Sequence, residues 1–125
     1  LNMGLSKSSV FDTPTPSPAA YSDAKPGRNE WLPRAWDGIP PQIPHRTDMY
    51  LPVVAADNQC LDCHDVPKYI DKPRNTDRSQ KSKSPMSRDH YTDETLETVA
   101  GARFTCTQCH VPQSNATPLV ESTFR

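Results

Sequence analysis

Apolar residues fall along this 125-residue chain in short groups, with prolines interrupting the stretches between them. Leu96, Val99 and Ala100 are spaced to form the buried face of a short helix running from Thr92-Asp93-Glu94 to about Ala100. Its acidic start suits the positive end of a helix dipole, and Gly101 can end it. Asp57-Asn58-Gln59 offers an N-cap for a second short helix beginning at Cys60, and Thr105 offers one for a third beginning at Cys106. None exceeds about three turns, so each depends on packing rather than on helix propensity. No apolar run approaches the roughly 20 residues needed to cross a bilayer.

Residues 1–59 contain nine of the fourteen prolines, including Thr13-Pro14-Thr15-Pro16-Ser17-Pro18 and Ile39-Pro40-Pro41-Gln42-Ile43-Pro44. Proline fixes φ and removes a backbone donor, so this half reads as extended, polyproline-like chain without internal pairing. It serves either as a disordered leader or as an arm that orders along a partner protein, with Phe11, Trp31, Leu32 and Trp36 as its apolar anchors. The chain opens at Leu1 without a basic-then-apolar leader and reads as a processed or trimmed form.

Composition sharpens this picture. Hydrophobic residues are 34% of the total and mean hydropathy is -0.78. That is a thin supply against a backbone ordering cost of about 1–2 kcal/mol per residue. The net charge of -1 gives no argument for nucleic-acid binding. The charge is unevenly spread: residues 68–88 carry seven basic side chains (Lys68, Lys72, Arg74, Arg78, Lys81, Lys83, Arg88) and two acidic ones, about +5, leaving about -6 for the rest. This segment is either a solvated face or a patch that steers an acidic partner.

Something other than side chains must supply apolar mass, and the cysteines say what. Cys60-Leu61-Asp62-Cys63-His64 and Cys106-Thr107-Gln108-Cys109-His110 are both C-x-x-C-H, the attachment motif of a c-type haem. Cys60 and Cys63, then Cys106 and Cys109, would each hold one haem covalently, with His64 and His110 as proximal ligands. All four cysteines are used. A Cys₄ zinc site is the competing reading, but 42 residues separate Cys63 from Cys106, and zinc gives no reason for a histidine after each pair.

Two irons have four axial positions, and the chain has four histidines. His45 lies 15 residues before Cys60 and His90 lies 16 before Cys106, so the chain reads as one pattern used twice. The repeat pairs His45 with His64 on the first haem iron and His90 with His110 on the second. Met49 and Met86 stand four residues from His45 and His90 and are alternative ligands that would raise the potential. A swapped pairing of His90 with the first haem is geometrically open. Asp57, Asp62 and Asp65 make the first haem's surroundings the more acidic. Trp31 and Trp36 suit packing on a haem face as well as they suit a partner. The fold class expected is small and mostly irregular, with a few short α-helices organised around two covalent haems.

Bis-histidine haems leave no open position for substrate, which points to electron transfer with no catalytic residue on this chain. A dihaem peroxidase, with His45 or His90 off its iron, is the enzymatic alternative.

Four segments taken together resemble the NapB family, the small dihaem subunits of periplasmic nitrate reductase. They are Ile39-Pro40-Pro41-Gln42-Ile43-Pro44-His45, Asn58-Gln59-Cys60-Leu61-Asp62-Cys63-His64, Ser87-Arg88-Asp89-His90-Tyr91 and Cys106-Thr107-Gln108-Cys109-His110-Val111-Pro112-Gln113. The resemblance covers roughly residues 37–119. It implies two closely stacked bis-histidine haems, with ligand pairs that match His45/His64 and His90/His110. It implies a heterodimer with a large molybdenum and iron–sulfur catalytic subunit, where nitrate becomes nitrite. It further implies electrons supplied by a membrane-anchored multihaem quinol dehydrogenase, a periplasmic location, and no direct membrane insertion. The organisation expected is an extended arm at 1–36, a dihaem domain at 37–118 and a tail at 119–125, with arm and tail wrapping the large subunit.

Overall fold

Proline at Pro40, Pro41, Pro44 and Pro112 prevents regular sheet, and backbone pairing is reduced to single bridges between extended segments. A computed structural model describes residues 7–73 and 84–124. Arg74, Arg78, Lys81 and Lys83 of the basic segment lie outside the described residues.

Three extended stretches, around residues 20–24, 43–46 and 111–115, lie side by side. Ile43 bridges Pro112 in parallel and Tyr21 bridges Ser114 in antiparallel sense. The Ile43 N–H donates to Val111 O at 2.8 Å and Gln113 N–H donates to Ile43 O at 2.9 Å, the parallel pattern, which asks no donor of Pro112. Arg46 N–H reaches Ala24 O, and Asn115 N–H reaches Ala20 O, both at 2.9 Å. The Asn115 side chain closes the pair by accepting from Ala20 N–H at 2.8 Å.

The proline-rich half therefore has its residues 20–32 hydrogen-bonded to the chain around Gln113. Gln113 is buried, 7% exposed. Its amide donates to Glu30 O at 2.9 Å and accepts from Leu32 N–H at 3.4 Å. The Asn29 side chain donates to Pro44 O at 2.9 Å. Trp36 meets the ring of Phe124 edge-on at 5.5 Å, so this anchor packs on the C-terminal tail. Trp31 remains 55% exposed and Phe11 96% exposed.

Among the described residues there is one α-helix, α1 (Gln59–His64). Single 3-10 turns lie at Asp48–Tyr50, Pro67–Tyr69, Arg88–His90, Gly101–Arg103 and Cys106–Gln108. No described helix is long and apolar enough to cross a membrane. The second cysteine motif thus forms a turn where a helix was expected. It is closed by Cys109 N–H and His110 N–H, both donating to Cys106 O. The extended Val111-Pro112 that follows is committed to Ile43 and cannot continue a helix.

The helix expected over 92–100 is absent. Tyr91 and Val99 form an antiparallel bridge, and Thr92 N–H donates to Thr98 O at 2.9 Å. The reason is local competition: the Asp93 carboxylate accepts both the Thr95 amide and the Thr95 hydroxyl, a turn that diverts the backbone from helix. Leu96 then takes a left-handed φ of 59°, and Val99 is spent in the bridge.

The expected caps are also used differently. Asn58 precedes α1 but makes no capping bond. Its amide donates to Phe104 O at 2.9 Å and approaches Cys106 Sγ at 3.7 Å, so it ties the approach to one cysteine motif to the other. Thr105 makes no side-chain cap either.

Tyr91, 6% exposed, is the buried apolar residue of the described chain. With so small a side-chain core, single polar ties matter. Gln113→Ala removes two hydrogen bonds and is expected to lower stability by about 1–3 kcal/mol. The segment 20–32 should become sensitive to limited proteolysis, and an unchanged cutting pattern would show that Gln113 does not hold it. Asn58→Asp replaces the donor facing Phe104 O with a second acceptor, and the buried Oδ1, which has no partner, would share a negative charge. A loss of about 1–3 kcal/mol in denaturant unfolding is expected, larger than for Asn58→Ala.

Candidate haem-binding site

In α1 the i, i+3 spacing puts Cys60 and Cys63 on one face of a single turn. The helix ends on His64, and Asp65 N–H donates back to Leu61 O at 2.9 Å. The turn Cys106–Gln108 does the same work for Cys106, Cys109 and His110, with His110 N–H on Cys106 O at 2.9 Å. The two motifs are neighbours. Burial, and then the adjacent Cys106 thiol, push the Cys60 thiol up to about 11.

The rings of His45 and His64 lie 6.5 Å apart between centroids, with an interplanar angle of 18°. Those of His90 and His110 lie 6.2 Å apart at 24°. These are the pairs that the repeat in the sequence matches; no swapped pair is formed. Two imidazoles bound to opposite sides of one metal through bonds of about 2.0–2.1 Å, each nitrogen about 1.2 Å from its ring centre, would stand about 6.4–6.6 Å apart. The 6.5 Å separation falls within that range and the 6.2 Å separation just short of it. Met49, the alternative beside His45, is 54% exposed.

All four rings are held at Nδ1 by the main chain. His45 Nδ1 is 2.7 Å from Arg46 O, His64 Nδ1 is 2.7 Å from Ser84 O and His110 Nδ1 is 2.8 Å from Pro41 O. His90 Nδ1 lies 3.2 Å from Ser87 O and 3.0 Å from the Ser87 hydroxyl. A carbonyl can only accept, so each Nδ1 carries a proton, and in the neutral imidazole that arrangement leaves the Nε2 lone pair for a metal. Burial holds His64 below its ordinary range, against the Ser84 carbonyl, which acts to raise it; the His45 and His110 imidazoles add to the lowering. Neutral imidazole is the form that ligates. The hydrogen bonds of His64 to Ser84 O and of His110 to Pro41 O bring the two pairs together.

The supports cross over. His64 is oriented by Ser84, six residues before His90. His110 is oriented by Pro41, four residues before His45. Each cysteine-motif histidine thus hydrogen-bonds to the chain that delivers the other pair's second histidine.

Residues without a motif also contribute. Tyr91 donates its hydroxyl to the Asp65 carboxylate at 2.8 Å, and burial, then Asp65, push it up to about 12. The Tyr50 ring meets His45 edge-on at 6.1 Å. Arg46 and Asp48 pair at 2.7 Å on the wall of a cleft of about 550 Å³ beside His45, which Tyr21 and Leu51 also line. Arg46 holds the Asp48 carboxyl below the usual range. Among the described residues, no three or more His, Cys, Asp or Glu side chains gather as a metal-ion cluster, the grouping that a Cys₄ zinc site needs.

The cysteines and paired imidazoles thus fit two c-type haems, and comparison with known proteins points the same way. The family model described as nitrate reductase cytochrome c-type subunit (NapB) matches residues 4–125. The periplasmic nitrate reductase electron transfer subunit of Wolinella succinogenes is 33% identical over 110 residues, 84% of this chain and 54% of the relative. The subunit of the same name from Shewanella oneidensis is 34% identical over 108 residues, 86% of this chain and 67% of the relative. Among solved structures, partially reduced periplasmic nitrate reductase from Cupriavidus necator contains a chain that matches with a TM-score of 0.56 and 28% identity. The match covers 95% of this chain and 88% of that one. The chain spans between about half and two thirds of the length of these curated relatives. A family match over almost every residue, together with cysteine and histidine geometry suited to haem, establishes that this chain belongs to the NapB family of cytochrome c-type nitrate reductase subunits.

Proposed function

We propose that this chain is the electron-transfer subunit of a periplasmic nitrate reductase, carrying two covalent c-type haems. Cys60 and Cys63 hold the first, with His45 and His64 on its iron. Cys106 and Cys109 hold the second, with His90 and His110 on its iron. The observation that carries the reading is the pair of imidazole–imidazole separations, 6.5 and 6.2 Å, with every Nδ1 turned to a main-chain acceptor.

A c-type haem bound by two histidines supplies a one-electron redox centre with both axial positions filled. The residues of this chain set how that centre behaves. The cysteines fix the porphyrin edge, and the Nδ1–H bonds hold each imidazole in one tautomer and one orientation. Histidine at all four positions keeps the potentials lower than methionine would. With His45, His64, His90 and His110 all committed to the two haems, no position would be left for a substrate, and the work would be to receive an electron and pass it on.

The receiving partner is a large molybdenum and iron–sulfur catalytic subunit, bound as a heterodimer, where nitrate is reduced. The donor is a membrane-anchored multihaem quinol dehydrogenase, and the setting is the periplasm. The relatives' names as periplasmic electron transfer subunits support the setting and the carrier role, and the nitrate reductase structure that the fold matches supports a catalytic partner; the quinol dehydrogenase is what the sequence resemblance implies. A peroxidase would need His45 or His90 off its iron, and the close ring pairing of both argues against it.

The first test is the visible and near-infrared spectrum of the purified protein, oxidised and then reduced with and without carbon monoxide. Two bis-histidine haems give sharp c-type bands, no methionine–iron band and no carbon monoxide shift; a shift in the unaltered protein refutes the closed-iron reading. His45→Ala and His90→Ala should each open one haem to carbon monoxide. Nitrate reduction driven through this subunit should fall by more than the roughly 10–100-fold that loss of a ligand's hydrogen-bond partner costs. The assembled catalytic subunit should keep its rate with artificial donors. If that rate falls equally, the chain is more than an electron carrier.

A further inference from the structure

The end of α1 at His64–Asp65 and the segment from Ser84 to Tyr91, which carries His90, are joined by three hydrogen bonds. His64 Nδ1–H donates to Ser84 O at 2.7 Å, and Met86 N–H donates to His64 O at 3.2 Å. The third is made by side chains: the Tyr91 hydroxyl donates to the Asp65 carboxylate at 2.8 Å. Tyr91 directly follows His90, and Asp65 directly follows His64. The bond therefore joins the backbone carrying one histidine of the first pair to the backbone carrying one histidine of the second.

Its setting makes it stiff. Tyr91 is 6% exposed, its N–H donates to Arg88 O at 3.1 Å, and its strand position is fixed by the bridge to Val99. The neighbouring His90 carbonyl accepts from Ala100 N–H at 2.9 Å. A hydroxyl bonded to a carboxylate is among the stronger hydrogen bonds in a protein. A further side-chain tie in this region, Arg88 to Asp71 at 2.9 Å, is exposed at both ends and contributes little.

We propose that Tyr91 and Asp65 are positioning residues shared by the two haem sites, and that their hydrogen bond fixes the orientation of both histidine pairs together. The proposal rests on the assignment of His45/His64 and His90/His110 as axial ligands. Its consequence is that loss of the Tyr91–Asp65 bond disturbs the ligation geometry of both haems, though neither residue touches an iron.

The experiment is electron paramagnetic resonance of the oxidised haem-loaded protein, with a redox titration of each haem. The position of a low-spin ferric signal follows the angle between the two imidazole planes on that iron, which a merely stabilising contact would leave unchanged. Tyr91→Phe keeps the ring and removes the hydroxyl; Asp65→Leu removes the acceptor; Asp65→Asn keeps an acceptor oxygen. Both low-spin signals are expected to shift in Tyr91→Phe and in Asp65→Leu. The double variant should shift no further than either single one, as two ends of one interaction must. Asp65→Asn should stay near the unaltered protein. A shift in one signal or in neither, additive effects in the double variant, or an Asp65→Asn shift as large as that of Asp65→Leu overturns the proposal. A high-spin or carbon monoxide-reactive haem in the unaltered protein overturns instead the ligand assignment beneath it, and this is read before any variant is made.

Discussion

The constraint on which the rest of this structure depends is that four imidazole rings are brought together in two pairs while each is held at Nδ1. Main-chain carbonyls meet it at every position: Arg46, Ser84, Ser87 and Pro41. A carbonyl is neutral and can only accept, so it selects the tautomer without drawing the Nδ1 proton away as a carboxylate would. It also comes with the backbone, so no side-chain rotamer has to be ordered to make the bond. Positioning the carbonyls is the task of the fold, and the extended segments, single bridges and one-turn helices are the means.

This explains a use for proline that composition alone presents as an oddity. A polyproline-like segment makes no internal backbone hydrogen bonds, so its carbonyls are available to other groups. Pro41 O receives His110 and Pro44 O receives the Asn29 amide, both within the run Ile39–His45. The same run ends on His45, so one stiff, donor-poor stretch delivers a histidine of the first pair and orients a histidine of the second. The segment Ser84–His90 does the reciprocal work for His64. The chain is a repeat of one pattern, but its two halves are not separate units, because each half's second-histidine segment completes the other half's motif histidine.

What was legible in the sequence was the chemistry that side chains announce. The two C-x-x-C-H motifs and the matched intervals before them, His45 to Cys60 and His90 to Cys106, identified the residues that the fold brings ring to ring. The supports were not legible, because an acceptor carbonyl has no residue signature: nothing in the letters at Ser84 or Pro41 marks them as partners of His64 and His110. Asn58 looked like an N-cap, and its position before α1 is that of one, but its amide is drawn across to Phe104 O by a contact 46 residues away in sequence. The helix over 92–100 failed for a different reason. Its apolar spacing competed with an Asp93–Thr95 turn and with pairing of Val99 to Tyr91, and a segment of two turns has too little propensity to resist either.

That lost helix has a structural return. In a helix, Val99 would have been held within its own segment, and the backbone beside His90 would have lacked its partner. As a loop folded back on itself, 91–99 fixes Tyr91 in extended backbone and supplies Ala100 N–H to the His90 carbonyl. The Tyr91 side chain is then aimed at Asp65, where α1 ends. Local chemistry that defeats a helix thus builds a rigid mount between the two histidine pairs, in a chain whose few buried residues could not hold them by packing alone. In so small a protein, polar contacts do the locating that a larger hydrophobic core does elsewhere, and their cost is lowest when the groups that make them are backbone.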